Sequence, residues 1–415
     1  ELELFYLTRE PGLALNTFNR GIAGDTTAGA LKRIDWDVLP ARPTVVTILL
    51  GMNDVGRDLY DPGRTGPEVE TLRAARVAAY AANLRTLVER LRASGARIVL
   101  LGPTPYDDTA RLKTPASVGC NAALADLAAA ARELARESGS AWIDLHTPLT
   151  ALNLQRQATD PAYTLVGPDR VHPGWAGHLA VAYYLLRAQS APALVSSVAL
   201  DAAAAKVLAA ERARVSGLVV ATGSIAFEVE ELSLPYPLDP ALASAARDLV
   251  PFASEFNQQL LRVDGLVDGH WRLAIDGETI GEFSAAQLAS GVDLASLPST
   301  PQLRQARLVR EALAEKWEAE SRLRTLAYAR HGAWPDAPRP FDPAQMQARV
   351  DARRASVGRT NAWIDAQLAL HAELQPREDE LAAHVASAAE RASALARPQP
   401  HRYKLTLVPQ GVSGK

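Results

Sequence analysis

The first 195 residues of this 415-residue chain predict an α/β domain, a three-layer doubly wound parallel sheet. A small β-rich segment (196–300) and a long helical hairpin ending in a short strand (301–415) are expected to follow. Three observations carry the α/β prediction. The apolar run Val45–Leu50, rich in β-branched residues, reads as a strand covered on both faces, and Ala96–Leu101 and Ala141–Leu145 read as further short strands. Stretches of helical period separate them. Each run stops in a polar turn, and open α/β sheets bind ligands beyond the carboxyl ends of their strands.

Taken in order, residues 1–10 read as the end of a helix closed by Pro11-Gly12, and Leu13–Phe18 as a short strand. Residues 19–29 form a strand-to-helix turn in which Asp25 or Thr26 can cap a helix beginning near Ala28. The strand at 45–50 runs into Gly51-Met-Asn53-Asp54, then a helix over 68–93 closed by Ser94-Gly95. A strand at 96–101, a loop at 102–108, a helix at 117–138, a strand at 141–145 and a helix at 174–187 complete the alternation. Beyond it, 215–234 alternates as β structure around Thr222-Gly223, and Asp276-Gly277 marks a hairpin within 260–283. Two Ala-rich charged helices, 301–331 and 343–396, are expected to pack antiparallel, with a strand at 401–408.

A net charge of −3 and a pI near 6.3 leave no basic field for nucleic acid and no polybasic membrane signal. The partner expected is therefore a small or neutral molecule. Cys120 is the single cysteine, so no internal disulfide and no multi-cysteine metal site is expected; no cofactor is. No apolar run has the ~18–20 residues of a membrane span. The chain opens without Met, in what reads as the middle of a helix, and leaves room for a leader upstream. Its Ala and Arg content suggests a bacterial source, and a secreted or periplasmic location fits.

Four residues stand out for chemistry: Gly24, Asn53, Asp169 and His172. Singly, each has a plain structural reading as a turn former or a helix cap. Together they say more. Asp169 and His172 lie three apart in one loop, close enough for the carboxylate to hold Nδ1 and leave Nε2 as a general base. The Gly24 amide and the Asn53 side chain sit at strand ends, where paired donors stabilise a tetrahedral oxyanion.

The order Gly24-Asp-Thr, then Gly51-Met-Asn53-Asp54, then Asp169-Arg-Val-His172 resembles the Ser-Gly-Asn-His hydrolases, also called the GDSL esterases and lipases. The resemblance covers residues 1 to about 190 and implies a flavodoxin-like fold, with Gly24 and Asn53 as oxyanion donors, His172 as base and Asp169 as its partner. It implies hydrolysis of carboxylic esters, acetylated carbohydrates among them. Residues 260–310 resemble, more weakly, an extension that follows this domain in some bacterial members.

The family's first block, a strand ending in Gly-Asp-Ser with the nucleophile, is missing from the pattern. Ser224 follows Gly223 but falls after His172 in a predicted hairpin; Ser413 would require a permuted fold. The expectation is that the serine lies upstream of Glu1, and that a protein beginning at Glu1 has no activity. The alternative is a binding or scaffold protein that kept the fold and lost its nucleophile. Arg57, Asp58, Tyr60, Tyr106 and Asp107 are expected at a polar pocket mouth suited to a sugar ester. Trp271, Trp317, Trp334 and Trp363 fit core packing better than a carbohydrate platform, and His146 and His178 read as structural or surface histidines.

Overall fold

The computed structural model describes residues 1–238, 249–333, 342–355 and 362–409. In chain order the first elements are α1 (Leu2–Arg9), α2 (Thr27–Arg33), β1 (Val45–Ile48), α3 (Pro67–Ala93), β2 (Arg97–Leu101), α4 (Cys120–Ser138), β3 (Ala141–Ile143), α5 (His146–Gln157) and α6 (Trp175–Ala188). There follow β4 (Leu194–Asp201), β5 (Lys206–Glu211), β6 (Ala213–Ala221), β7 (Ser224–Glu231), α7 (Phe252–Phe256), β8 (Gln258–Asp264), β9 (His270–Ile275), β10 (Glu278–Ser284), α8 (Ala285–Ser290) and β11 (Val292–Asp293). The last are α9 (Pro301–Ala327), α10 (Pro343–Ala355), α11 (Ala362–Leu374), α12 (Glu378–Leu395) and β12 (Pro400–Leu407).

The chain forms two compact units. One takes Phe18–Ala188 and Glu318–Ala383, the other Glu1–Thr17, Gln189–Trp317 and His384–Lys415. They divide the chain elsewhere than near 195 and 300, for reasons visible in the packing of each.

The first unit holds the parallel sheet, in the order β1-β2-β3, with Ile48 beside Leu100 and Leu101 beside Ile143. Helix α3 buries Tyr80, Leu84, Leu87, Val88 and Leu91, one stripe at helical spacing, and α4 buries Leu124, Leu127, Ala131 and Leu134. These side chains share one core with Ile48, Ile98 and Leu100. At about 1.5–3 kcal/mol for each large aliphatic side chain buried, that core holds the strands in place.

Leu13–Phe18 is not a strand. Leu13, Leu15 and Phe18 are 54%, 40% and 55% exposed. A strand needs a neighbour to pair with, and among the described residues β1 pairs with β2 alone. The open edge leaves Val45 and Leu49 each 43% exposed, so this part of the sheet is not covered as its apolar sequence predicts.

Residues 318–383 return to this same unit, where Arg330 grips Glu378 with two nitrogens at 2.7 and 2.5 Å. In the expected second helix at 343–396 the described residues form α10, α11 and α12, with a 3-10 turn at Gln375–Arg377 between the last two; residues 334–341 and 356–361 lie outside the described set.

The second unit is a β-sandwich. A five-stranded antiparallel sheet in the order β10-β9-β12-β7-β6 faces a four-stranded one in the order β11-β8-β4-β5, and Phe227, Leu273, Ile275 and Leu405 share a core with Val198, Leu200, Leu261 and Val263. Both predicted hairpins form, at Thr222-Gly223 and at Asp276-Gly277. The terminal strand β12 lies between β9 and β7. It is a structural centre rather than an appendage of the helices. Helix α1 belongs here because Phe5 packs edge-on against Phe256 and Arg9 donates to the carbonyls of Pro192, Leu194 and Phe256. Trp271 is buried with its indole on the Val267 carbonyl, and Trp317 donates to Glu3, so both anchor structure. Trp334 and Ser413, and the side chain of Trp363, lie outside the described residues.

Candidate active site

Beyond β1 the chain turns at Gly51, whose φ of +132° and 2.8 Å approach of a built Cβ to Pro103 Cγ leave no room for a side chain. This sends Asn53 back toward the preceding turn, where its Nδ2 donates to the Asp25 carbonyl at 3.1 Å. Gly24 lies in that turn, closed by the Asp25 amide on Ile22 O at 3.1 Å, with a φ of +76° that favours glycine. Its own N–H has no partner among the described residues, and one Asn53 amide hydrogen is also free. The structure thus fastens Asn53 to the residue that follows Gly24.

Asp54 fixes the start of the next helix. Its Oδ1 accepts from the amide and the hydroxyl of Thr27, at 2.9 and 2.5 Å, while Thr26 caps the helix by accepting from Gly29 N. Oδ2 of Asp54 is buried without a partner, and burial outweighs the Thr27 bonds to raise its pKa.

Asp169 and His172 form a second pair. Oδ1 of Asp169 accepts from the backbone amides of Val171 and His172 at 3.1 and 3.0 Å, and Oδ2 meets His172 Nδ1 at 2.5 Å. Burial alone would raise the Asp169 pKa, but the His172 ring and the two amides hold it below the usual carboxylate value. Nε2 has no partner among the described residues, and the side chain of His172 is 80% exposed.

Arg170 holds this loop. It has a φ of +67°, is 3% exposed, and donates to the carbonyls of Asp107, Ala110 and Thr114, while the Asp107 amide donates to its own carbonyl. The His172 loop is therefore fastened to the loop after β2, the strand beside β1. Among the described residues no hydrogen bond joins the two pairs directly. Spacing does not reveal Arg170 as important; only its burial does.

Three residues expected at a pocket mouth are instead structural. Tyr60 is buried under the Arg73 guanidinium, Tyr106 accepts from Ser117 N, and Asp107 is buried. Burial would raise the Asp107 pKa, but bonds including those from the Ala110 and Thr109 amides lower it. Aromatic and acidic residues after a strand satisfy loops as readily as they line pockets. Of that set only Asp58 is exposed, and Arg57 is half-buried. His146 bonds Asn121, and burial pushes the Cys120 thiol up to about 12, leaving it inert. Ser224 opens β7 in the sandwich unit.

A parallel sheet thus stands beside a histidine–carboxylate pair in one loop and, in the turn before α2 and the turn after β1, the Gly24 amide and the Asn53 side chain. Residues 6–180 match the GDSL-like Lipase/Acylhydrolase family. The chain is 28% identical over 177 residues to an acetylxylan esterase of Geobacillus stearothermophilus, an alignment covering 43% of this chain and 73% of that one. It also resembles the solved structure of a gut microbial diltiazem-metabolizing enzyme, with a TM-score of 0.87 and 28% identity over 98% of this chain and 93% of the other. The family match supports ester hydrolysis as the general activity.

Proposed function

We propose that the protein is a serine carboxylic-ester hydrolase in which His172 takes the nucleophile's proton, Asp169 holds the imidazole, and Gly24 N with Asn53 Nδ2 bind the oxyanion. The carrying observation is the 2.5 Å bond between Asp169 and His172 Nδ1, which leaves Nε2 as the free base. The serine is supplied by a segment preceding Glu1. Among the described residues β1 pairs on one side only, with Val45 and Leu49 exposed, which supports a further strand completing the sheet there. Small acyl groups on carbohydrates are the substrate class favoured, by analogy with the acetylxylan esterase.

In this mechanism the serine hydroxyl adds to the ester carbonyl as His172 Nε2 accepts its proton. Two amide donors receive the charge on oxygen, and the imidazolium then gives its proton to the departing alcohol. Water repeats the sequence on the acyl-enzyme. The test is a fluorophosphonate probe on the full-length protein, with the labelled peptide mapped and acetate release from acetylated xylo-oligosaccharides measured. Label on a Gly-Asp-Ser peptide, lost in His172→Ala together with acetate release, supports the reading. Label on Ser224, or none, overturns it, and the latter favours a binding protein on a hydrolase fold.

A further inference from the structure

The turn that carries Gly24 is gripped from outside the family segment. Arg324, in the part of α9 that belongs to the α/β unit, donates Nε to Gly21 O at 3.0 Å and Nη2 to Arg20 O at 3.1 Å. The same guanidinium clasps Asp37 with both terminal nitrogens, at 2.9 and 2.8 Å. Arg33 works from the other side. It reaches Asp25 Oδ2 at 2.9 and 2.7 Å, Arg20 O at 2.9 Å and Asp37 at 2.5 Å. Gly24 therefore lies between two gripped points, the Arg20 and Gly21 carbonyls before it and the Asp25 carboxylate after it. The two arginines meet on Asp37, which is 7% exposed. Asn53 bonds the Asp25 carbonyl, so both oxyanion donors rest on the one braced turn.

We infer that Arg324 is a positioning residue for the oxyanion site, and that the helical segment after residue 317 serves the reaction by fixing where the Gly24 amide points. This rests on the function proposed above. Glycine at φ +76° has no Cβ to hold it, and the turn is closed by a single backbone bond, so orientation must come from what grips its flanks. A planar fork that meets a carboxylate and two carbonyls at once cannot be replaced by the point charge of lysine. Asp37 shows the coupling. Burial alone would raise its pKa, but the Arg324 bond and the Arg324 and Arg33 charges lower it.

The test compares full-length wild type with Arg324→Ala, Arg324→Lys and Glu378→Gln. The last breaks an ion pair of the same helical segment that does not touch residues 20–37. Turnover of an acetyl ester, affinity for a trifluoromethyl ketone transition-state analogue, and hydrogen exchange of residues 19–27 are measured on folded protein. Arg324→Ala is expected to lower kcat about tenfold or more with KM nearly unchanged, short of the ~10²–10³ that loss of a donor costs. Analogue affinity should fall in parallel, Arg324→Lys should recover only part, exchange should rise at 19–27, and Glu378→Gln should match wild type. Unchanged kcat and analogue affinity with raised exchange, or an equal loss in Glu378→Gln, overturns the inference while the esterase reading stands. Unchanged exchange overturns it whatever the activity, and a wild type with no label and no turnover sinks the esterase reading instead.

Discussion

His172 owes its orientation to Asp169, and the bond makes both residues testable. The Asp169 pKa is depressed, so the pair's contribution is complete above the unfolded carboxylate value of about 3.9 and is lost as pH falls through the lower folded value. Carbon NMR of the Asp169 carboxyl should therefore show a midpoint below that of a free aspartate, and His172→Ala should move it up. Asp169→Asn is expected to lower kcat by about 10²–10⁴, measured as ester turnover. Asp54 has the opposite sign. Its pKa is raised, so the folded form holds a proton that the unfolded form has released, and stability falls as pH rises from about 3.9 through the raised value. Asp54→Asn keeps an acceptor for Thr27 and should melt at or above wild type at pH 7; Asp54→Ala should lose about 1–3 kcal/mol. The partners of Asp169 and His172 were legible because both lie in one loop. Asp54 was legible only as a turn residue, since its bond to Thr27 spans separate elements.

At the scale of elements, the loops beyond the strands depend on a few backbone constraints. Gly167 has a φ of +68°, and a Cβ there would stand 2.8 Å from the His172 carbonyl. Gly167→Ala should cost about 1–3 kcal/mol and lower turnover, read by thermal melting alongside kinetics. Arg170→Ala should do more, because the carbonyls of Asp107, Ala110 and Thr114 lose their charged donor. A loss of at least about 2 kcal/mol is expected, with the His172 loop becoming sensitive to protease. Helices α3 and α4 and strands β1 to β3 were readable because apolar period and end signals agree over their length. Leu13–Phe18 misled because its pattern reports a capacity to pair, while a strand requires a neighbour that pattern alone does not supply.

Across the whole chain, sequence order is a poor guide to which parts fold together. The opening helix and the last strand join the sandwich, and 318–383 joins the α/β unit. Hairpins at 222–223 and 276–277 were legible from local turn chemistry, but no local signal shows that 400–407 pairs with both 224–230 and 271–275. Removing residues from 400 onward should therefore split the five-stranded sheet rather than trim its end, and limited proteolysis should cut between residues 206 and 284 far faster than in the intact chain.

The central position of β12 also has a consequence during synthesis. Strands β7 and β9 emerge from the ribosome well before the strand that pairs with both of them. At roughly 5–20 residues per second the interval is many seconds. Throughout it, the nascent chain carries two unsatisfied strand edges beside a half-built core, a state that invites pairing with a neighbouring chain on the same polysome. Translation pace and chaperone occupancy, more than the stability of the finished sandwich, would then set the yield of soluble protein.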